Sequence, residues 1–306
     1  MTREELNKKK QKLVSSHVKR TQRKAIILFL FKLIFILFIL IGGFYFLNKY
    51  IFTSKIIVKE NRIVNKKIPS SFNGVKIIHF SDLHYGTTIF MDDVNYLVEL
   101  INERNPDLVV FTGDLIDKNY NLNNKEQENL IKLLSSVDAS LGKYAVSGEE
   151  DNGTFQTIFN QSDFKILNND YELIYNNSDS PILITGISSY LAKNSNIDNA
   201  FSYFSTDTYN SNIYTISLFH EPDLLNDIKN THSADLYLAG HSHNNSIRYP
   251  WGGSPYKIKG ALDYNESYYK LSNSSFYISS GIGTNGNRIR LFCLPSFNFF
   301  RLSNEE

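Results

Sequence analysis

A long apolar run near the N-terminus, AIILFLFKLIFILFILIGGFYFL at positions 25–47, most limits what this chain can form. A helix that spans a bilayer needs roughly 20 predominantly apolar residues, whereas a secretory signal has an apolar core of only about 7–15 residues before a small-residue cleavage site. The run is too long for a signal and has no such cleavage site, so we predict an uncleaved transmembrane anchor. Lys32 can reach the near interface along its own aliphatic stem, and a span over positions 33–52 is the alternative.

Basic residues flank the predicted anchor on both sides. Those between positions 8 and 24 favour a cytoplasmic N-terminus, but others follow between positions 49 and 67, so the asymmetry is small. We predict a single-pass protein of the cell membrane, in contact with the lipid bilayer through this helix, with the rest of the chain, a folded domain, outside the cytoplasm. The predicted parts are a basic cytoplasmic tail at 1–24, the anchor at 25–48, a linker and first strand at 49–70, and the folded domain at 71–306.

Composition excludes several classes of function. The formal net charge of +1 argues against a nucleic-acid binder with a dominant basic field, so we expect no nucleic-acid partner. Cys293 is the one cysteine, which rules out an intrachain disulfide and a cysteine-based metal site. It lies in an apolar, strand-like run, so we predict a buried core residue.

Beyond position 56, short apolar runs alternate with polar or helical stretches. The segments GVKIIHFSDLH and PDLVVFTGDLID each have a strand pattern followed by a polar loop, and TIFMDDVNYLVELINERN between them has apolar residues at helical spacing. KEQENLIKLLSSV is a second amphipathic helix. Further strands are predicted in GKYAVSG, PILITGIS, NIYTISLFH, ADLYLAGHSH, FYISSGIG and RIRLFCLPSFNFFRL. This alternation predicts an α/β domain with a largely buried, partly parallel sheet, and the Asn-, Ser- and Tyr-rich segment 191–211 is predicted to be a surface insertion.

Side chains of the metal-ligand type follow five of these strands. They are Asp82 and His84, then Asp114 and Asp117, then Glu149 and Glu150, then His220, and finally His241 and His243. Because functional groups gather beyond the carboxyl ends of parallel strands, we expect these side chains to meet in one crevice. A single Asp after a strand is more often a turn or cap residue, so the ordered set carries the prediction. Carboxylate and imidazole ligands without thiolate suit Mn, Fe or Zn.

The ordered set resembles the calcineurin-like metallophosphoesterases, which are recognised by D-x-H, G-D-x-x-D, G-N-H-[DE], a lone His and G-H-x-H. The chain has D-x-H at 82–84, G-D-x-x-D at 113–117, HEPDLL at His220 and G-H-x-H at 240–243. The tail SSGIGTNGNRIRLFCLP is similar to a membrane-associated bacterial branch that includes hydrolases of UDP-2,3-diacylglucosamine. The resemblance implies a four-layer αββα sandwich of two mixed β-sheets flanked by helices, here preceded by one N-terminal transmembrane helix.

The resemblance also implies how two divalent metal ions would be held. Asp114 would bridge the ions. Asp82, His84 and His243 would complete the first site, and His220 and His241 the second, together with the residue at the position of the family's asparagine. Asp117 would orient a ligand by hydrogen bonding. Two such ions about 3.5–4 Å apart can clamp the attacking and leaving oxygens of a phosphoryl displacement.

The third motif departs from the family pattern. Aligning SGEED on G-N-H-[DE] puts Glu149 in place of the asparagine and Glu150 in place of the histidine. We predict that Glu149 ligates the second metal and leaves it a poorer Lewis acid. An ionised Glu150 is only an acceptor and repels phosphate. Glu150 is therefore either an acid kept protonatable by Glu149, a side chain that turns away and leaves catalysis to the metals, or the mark of a domain that has lost activity.

Together these features predict a membrane-anchored, metal-dependent phosphoesterase that hydrolyses a phosphoester or pyrophosphate bond of a phosphorylated small molecule or lipid-linked substrate. Glu150 is the candidate catalytic residue. Residues 249–262, YPWGGSPYKIKGAL, could form a rim for an amphiphilic substrate or only a structural loop. Two other functions stay open: a catalytically impaired metal-binding domain that recognises a phosphorylated ligand or partner, and a metal-free structural anchor domain.

Overall fold

A computed structural model describes residues 2–48, 50, 53, 55–207, 209–286 and 289–305, which fall into two compact units, Met1–Asn48 and Lys49–Glu306. The first unit is one helix, α1 (Arg3–Leu47), of which no described residue is buried. Thr2 and Glu5 cap its start reciprocally, since each side chain accepts a hydrogen bond from the other's backbone N–H. The predicted anchor is the second half of this helix, which is long and apolar enough to cross a membrane. The end of the alternative span 33–52 lies outside the described residues.

The second unit contains two six-stranded sheets and several helices. Its strands are β1 (Ile57–Val64), β2 (Lys76–Phe80), β3 (Leu108–Thr112), β4 (Lys143–Val146), β5 (Phe164–Ile166), β6 (Asp170–Ile174), β7 (Ile182–Gly186), β8 (Thr215–Leu218), β9 (Leu236–Ala239), β10 (Tyr268–Lys270), β11 (Ser275–Ile278) and β12 (Ser296–Ser303). Its helices are α2 (Met91–Glu103), α3 (Asn124–Ser135), α4 (Gly153–Gln161), α5 (Ile197–Ala200) and α6 (Leu225–Thr231).

Both sheets are mixed. The first has the order β1-β12-β2-β3-β4-β5, in which β2 to β5 are parallel and β12 runs antiparallel to β2. The second has the order β10-β11-β9-β8-β7-β6, with a parallel centre and an antiparallel strand at each edge. Each sheet therefore has a block of parallel strands whose carboxyl ends lie on one side, which is the arrangement that gathers loops into a crevice.

The alternation of side chains along the strands builds the layers. In β3, Val109 and Phe111 pack with α2, α3 and α4 on the outer face of the first sheet, whereas Leu108 and Val110 point into the core between the sheets. The outer face of the second sheet is covered by α5 and α6, with Phe276 of β11 in that core. These three cores confirm the predicted four-layer sandwich of helix, sheet, sheet and helix.

Two sequence predictions are corrected. The run predicted as a strand up to position 302 forms β12 only from Ser296; the described part before it, 289–295, is a loop in which Phe292 has φ of +53°. Cys293 is buried, as predicted, but in this loop. The segment 191–211 is not purely a surface insertion, because it contains α5 and buries Phe201 against the second sheet. The polar composition of segment 191–211 gave no signal for these few apolar contacts.

Candidate metal centre

The loops after β2 and β3 lie side by side. Backbone hydrogen bonds join Asp82 N to Gly113 O (2.8 Å), Leu83 N to Asp114 O (2.8 Å) and Tyr85 N to Leu115 O (3.0 Å). Five predicted ligand residues have positive φ angles, which residues other than glycine rarely adopt. They are Asp82, His84, Asp114, His241 and His243. Strained backbone of this kind clusters at functional sites, because the surrounding structure must hold it in place.

The loop after β4 is attached to the same assembly through Asp151. Its carboxylate accepts hydrogen bonds from Asp114 N (2.8 Å), Leu115 N (2.9 Å) and Gly148 N (2.8 Å). A Cβ atom at Gly148 would lie 2.2 Å from Asp114 Oδ1, so only glycine permits this approach. The contacts of Asp151 agree with the alignment of SGEED on the family's third motif.

Two groups of predicted ligands converge. In the first, the ligand atoms of Asp82, His84 and His243 lie within 4.8 Å of one another. In the second, Glu149 Oε2 lies 2.8 Å from His220 Nε2, and Glu149 Oε1 lies 2.9 Å from His241 Nδ1.

Asp114 lies between the two groups. Its Oδ2 is 3.7 Å from His84 Nε2 on one side and 3.3 Å from His220 Nε2 on the other. All seven predicted ligands are therefore in one cluster, and Asp114 has the position expected of a bridging carboxylate.

Backbone carbonyls fix three of the histidine rings. His220 Nδ1 contacts Thr112 O at 2.6 Å, His241 Nε2 contacts Lys259 O at 2.7 Å, and His243 Nδ1 contacts Gly283 O at 3.1 Å. A carbonyl only accepts, so each of these nitrogens carries the proton, and in a neutral ring the other nitrogen presents a lone pair.

Those lone pairs of His220 and His241 face carboxylate oxygens of Glu149, which are acceptors too. Two acceptors in contact require a cation between them, either a second proton on the ring or a metal ion. Within the described residues, the buried atoms His220 Nε2 and Glu149 Oε2 lack an aligned hydrogen-bond partner. Imidazoles held by second interactions and turned toward carboxylates are the usual surroundings of a bound divalent ion, so these residues fit one.

Without a bound ion, the cluster shifts the acidity of its members strongly. Burial alone would lower the pKa of His220, but Asp114 and Glu149 outweigh it and raise that pKa well above its ordinary value. Burial likewise opposes the charge of His84, yet Glu150, Asp114 and Asp82 raise its pKa to about 9. The pKa of Glu149 is held far below its usual range, against burial, by His220 and His241. Protons therefore take the place of cations in the ion-free cluster.

Glu150 has different surroundings. Its side chain is 4% exposed, and its Oε2 lies 3.3 Å from His84 Nδ1 and accepts from Lys118 N at 3.1 Å. Its Oε1 accepts from Asn285 Nδ2 at 2.7 Å and lies 3.3 Å from Lys118 Nζ. Burial would raise the pKa of Glu150, but His84 and Lys118 lower it to about 2. Oxygens of Glu150 and Asp117 and a ring nitrogen of His84 form a further group within 4.8 Å.

A cavity of about 400 Å³ opens beside the cluster. One wall carries ligand residues such as Asp114 and His243, and the other is apolar, with Ile247, Ile258 and Ile289. The loop 249–262 has a structural part, since the Lys259 carbonyl holds His241. It also has an exposed part, in which Trp251 is 80% exposed.

Several residues that shape the site were not predicted from the sequence. The carbonyls of Thr112, Lys259 and Gly283 leave no signal, because any residue supplies a carbonyl. Arg290 is buried and supports the loop that holds His243, donating to Ser280 O at 2.7 Å and also to Gly283 O. One indication of its importance was visible in the sequence: Arg290 lies in the tail SSGIGTNGNRIRLFCLP, which is similar to that of the membrane-associated branch.

Comparisons with known proteins agree with this geometry. Residues 75–245 match the family model described as calcineurin-like phosphoesterase. The chain is 28% identical over 267 residues to the uncharacterized metallophosphoesterase YkuE of Bacillus subtilis (strain 168), covering 85% of this chain and 90% of that protein. It is 29% identical over 255 residues to an uncharacterized metallophosphoesterase of Helicobacter pylori (strain J99 / ATCC 700824), covering 80% and 63%. It is 24% identical over 295 residues to the UDP-2,3-diacylglucosamine pyrophosphatase LpxG of Chlamydia muridarum (strain MoPn / Nigg), covering 77% and 86%.

Proposed function

Because the chain belongs to the calcineurin-like phosphoesterase family, a family of hydrolases, we propose that it is a membrane-anchored enzyme that hydrolyses a phosphoester or pyrophosphate bond at a two-metal site. The observation that carries this proposal is the convergence of ligand residues from five separate loops in one cluster beside a cavity. The fixed ring nitrogens of His220 and His241, which face the carboxylate of Glu149, are its strongest support.

The proposed ligand sets follow the two groups. Asp82, His84 and His243 would hold the first ion, Glu149, His220 and His241 would hold the second, and Asp114, which lies between the groups, would serve both. Mn, Fe or Zn suits this mixture of carboxylates and imidazoles. When bound, a pair of such ions supplies Lewis-acid stabilisation of phosphoryl oxygens and a nucleophile at neutral pH. The protein residues fix the ligand atoms and shield the site from bulk water, since most of them are buried.

The proposed substrate class is a phosphorylated molecule with an apolar part, such as a lipid-linked phosphate or pyrophosphate. Three features support it: the apolar wall of the cavity, the exposed Trp251 in the loop 249–262 that also supplies Ile258 to that cavity, and the name of the relative LpxG. An apolar part would pack along Ile247 and Ile258 while the phosphate lies at the ligand wall.

The proposed location is the cell membrane, with one span and the catalytic unit outside the cytoplasm. The apolar half of α1 supports the span. The basic residues that precede it support the orientation, although those that follow it weaken the asymmetry.

The test uses the full-length chain in detergent micelles, stripped of metal and assayed on an aryl phosphodiester with and without added Mn²⁺. We expect turnover only with metal, and a loss of at least about 100-fold in His220→Ala, since that ring belongs to the second ligand group. His232→Ala is the matched control, because His232 stacks on Phe201 outside the cluster. Two bound ions with no turnover on any phosphoester tried would refute the enzymatic function.

A second candidate function is a silent metal-binding domain that recognises a phosphorylated ligand or partner. It is favoured by one observation: the residue at the family's histidine position is a buried carboxylate with a pKa of about 2, which cannot donate a proton at neutral pH. Glu150→His separates the two candidates. A large gain of turnover from near zero supports the silent domain, whereas a loss supports a glutamate that contributes to turnover.

A further inference from the structure

We propose that Glu150, together with Asp117, is a positioning residue that acts through His84. The two carboxylates hold the proton on Nδ1 of the His84 ring and turn the lone pair of Nε2 toward the first ion. This inference rests on the proposed two-metal function, and it assigns Glu150 a role other than that of a proton donor to the leaving group.

The two nitrogens of His84 lie in different surroundings. Nε2 is 3.1 Å from His243 Nε2 and 3.7 Å from Asp114 Oδ2, so it lies inside the ligand cluster. Nδ1 is on the other side of the buried ring, 3.3 Å from Glu150 Oε2. An oxygen of Asp117 belongs to the same group of atoms within 4.8 Å.

The chemistry of these neighbours selects the tautomer. Both oxygens of Glu150 accept hydrogen bonds, from Lys118 N and Asn285 Nδ2, so the ring nitrogen that faces Oε2 carries the proton. Within the described part of the chain, His84 Nδ1 and the buried Asp117 Oδ2 both lack an aligned hydrogen-bond partner. Both atoms are therefore available for a contact within the group formed by His84, Asp117 and Glu150. Apo sites commonly show such contacts long and poorly aligned, and they tighten when the site is loaded.

His84 differs in this respect from the other three histidine ligands. Their outer nitrogens contact the neutral carbonyls of Thr112, Lys259 and Gly283. The outer nitrogen of His84 instead faces negative charge, which makes the ring a stronger electron donor to a cation at Nε2. The carboxylates of Glu150 and Asp117 therefore strengthen the first site specifically.

Glu150 is also poorly placed to contact a substrate. Its side chain is 4% exposed, and both oxygens already have partners: Lys118 N on Oε2, and Asn285 Nδ2 on Oε1. Asn285, not Glu150, lines the 400 Å³ cavity beside the ligand cluster, whereas Glu150 lines a separate cavity of about 220 Å³ with Asp117 and Lys118. A proton donor to the leaving group would have to break these contacts before each reaction.

The test measures metal binding directly. The full-length chain in detergent is stripped and titrated with Mn²⁺, and free and bound ions are followed by electron paramagnetic resonance, which also detects magnetic coupling between paired ions. Glu150→Gln keeps the size of the side chain but removes its charge. We expect the affinity for one ion to fall about 10- to 100-fold, with loss of the coupled signal, while the other ion binds as before. Glu172→Gln, a change of the same kind on the partly exposed ion pair with Lys165, should leave both affinities unchanged.

Turnover then separates positioning from acid catalysis. With saturating Mn²⁺, Glu150→Gln should recover activity equally on a diester with a nitrophenol leaving group and on one with an alcohol leaving group. Unchanged metal affinities with a selective loss on the alcohol substrate would overturn the inference and leave the proposed function intact. A third ion that binds to the wild type and is lost in Glu150→Gln would also overturn it.

Two further outcomes are decided in the same experiment. A wild type that binds two coupled ions but hydrolyses nothing refutes the proposed function, and the metal affinities of Glu150→Gln still decide this inference. If Glu150→Gln does not fold, Asp117→Asn changes the other flanking carboxylate and should weaken the same ion. Normal binding of both ions by Asp117→Asn would then count against the inference.

Discussion

Loading the metal cluster should release at least about two protons at pH 7. In the ion-free protein, the pKa of His84 is raised to about 9, and those of His220 and His241 are also raised, because burial is outweighed by the neighbouring carboxylates. Each ring must lose the proton on the nitrogen that faces the cluster before that nitrogen can bind an ion. His84 accounts for one proton at the first group and His220 for one at the second, to which the raised pKa of His241 adds.

The same count fixes the pH dependence. While the pH is below the raised pKa values, the affinity for the first ion should rise about tenfold per pH unit, and that for the second at least as steeply. The stability of the ion-free chain should change in the opposite direction. A histidine with a raised folded pKa contributes stability below its unfolded value of about 6.5, and this contribution is lost as the pH rises toward about 9. The difference in Tm between loaded and ion-free protein should therefore widen between pH 6.5 and 9.

Isothermal titration calorimetry in buffers of different ionisation enthalpy measures the number of released protons. Glu149→Asn tests its origin, because Glu149 is the largest source of the raised pKa of His241, whereas His220 keeps Asp114. This variant should release fewer protons at pH 7 than the wild type. The reasoning is refuted if the wild type binds two ions at pH 7 without releasing protons, or if the release is the same at pH 7 and well above pH 9.

Three further predictions concern the scaffold of the site. Gly148→Ala should displace the Asp114 carboxylate, because a Cβ atom would lie 2.2 Å from its Oδ1. Elemental analysis should then show a lower metal occupancy. Gly153→Ala, with nothing within 4 Å of its Cβ position, should leave the metal occupancy unchanged. Phe111→Ala should cost about 3–5 kcal/mol in denaturant unfolding by opening a cavity in the outer core, and Phe292→Ala, at a site 61% exposed, less than about 0.5 kcal/mol. Asp114→Asn should remove most of the increase in Tm that added Mn²⁺ gives the wild type; an equal increase in both proteins would contradict a bridging role.

The parts of the fold predicted from the sequence are those with a strong local pattern. β2, β3 and β4 are buried runs followed by polar ligands, and α2 has apolar residues at helical spacing, so each was predicted near its observed place. The short strands β5, β6 and β10 were missed, because edge strands with partly exposed residues lack a continuous apolar run.

The site was predictable in its ligands but not in what holds them. Asp82 and His243 were found because the family motifs name side chains. The carbonyl of Lys259, which fixes His241, could not be found, because the loop that brings it there has no residue-specific signature. The environment of Glu150 could not be predicted either, because Asn285, which donates a hydrogen bond to Glu150, lies far along the chain.

The place of β12 between β1 and β2 in the first sheet has a consequence for biosynthesis. This strand pairs with β1 on one side and β2 on the other, and Ile57 is opposite Ser296 in the register. Because β1 and β2 are synthesised long before β12, a nascent chain has both strands while the strand that joins them is missing. A stalled or prematurely stopped translation product that ends before position 296 would leave the β2 edge unpaired, and such an open edge should make it a target for quality-control proteases.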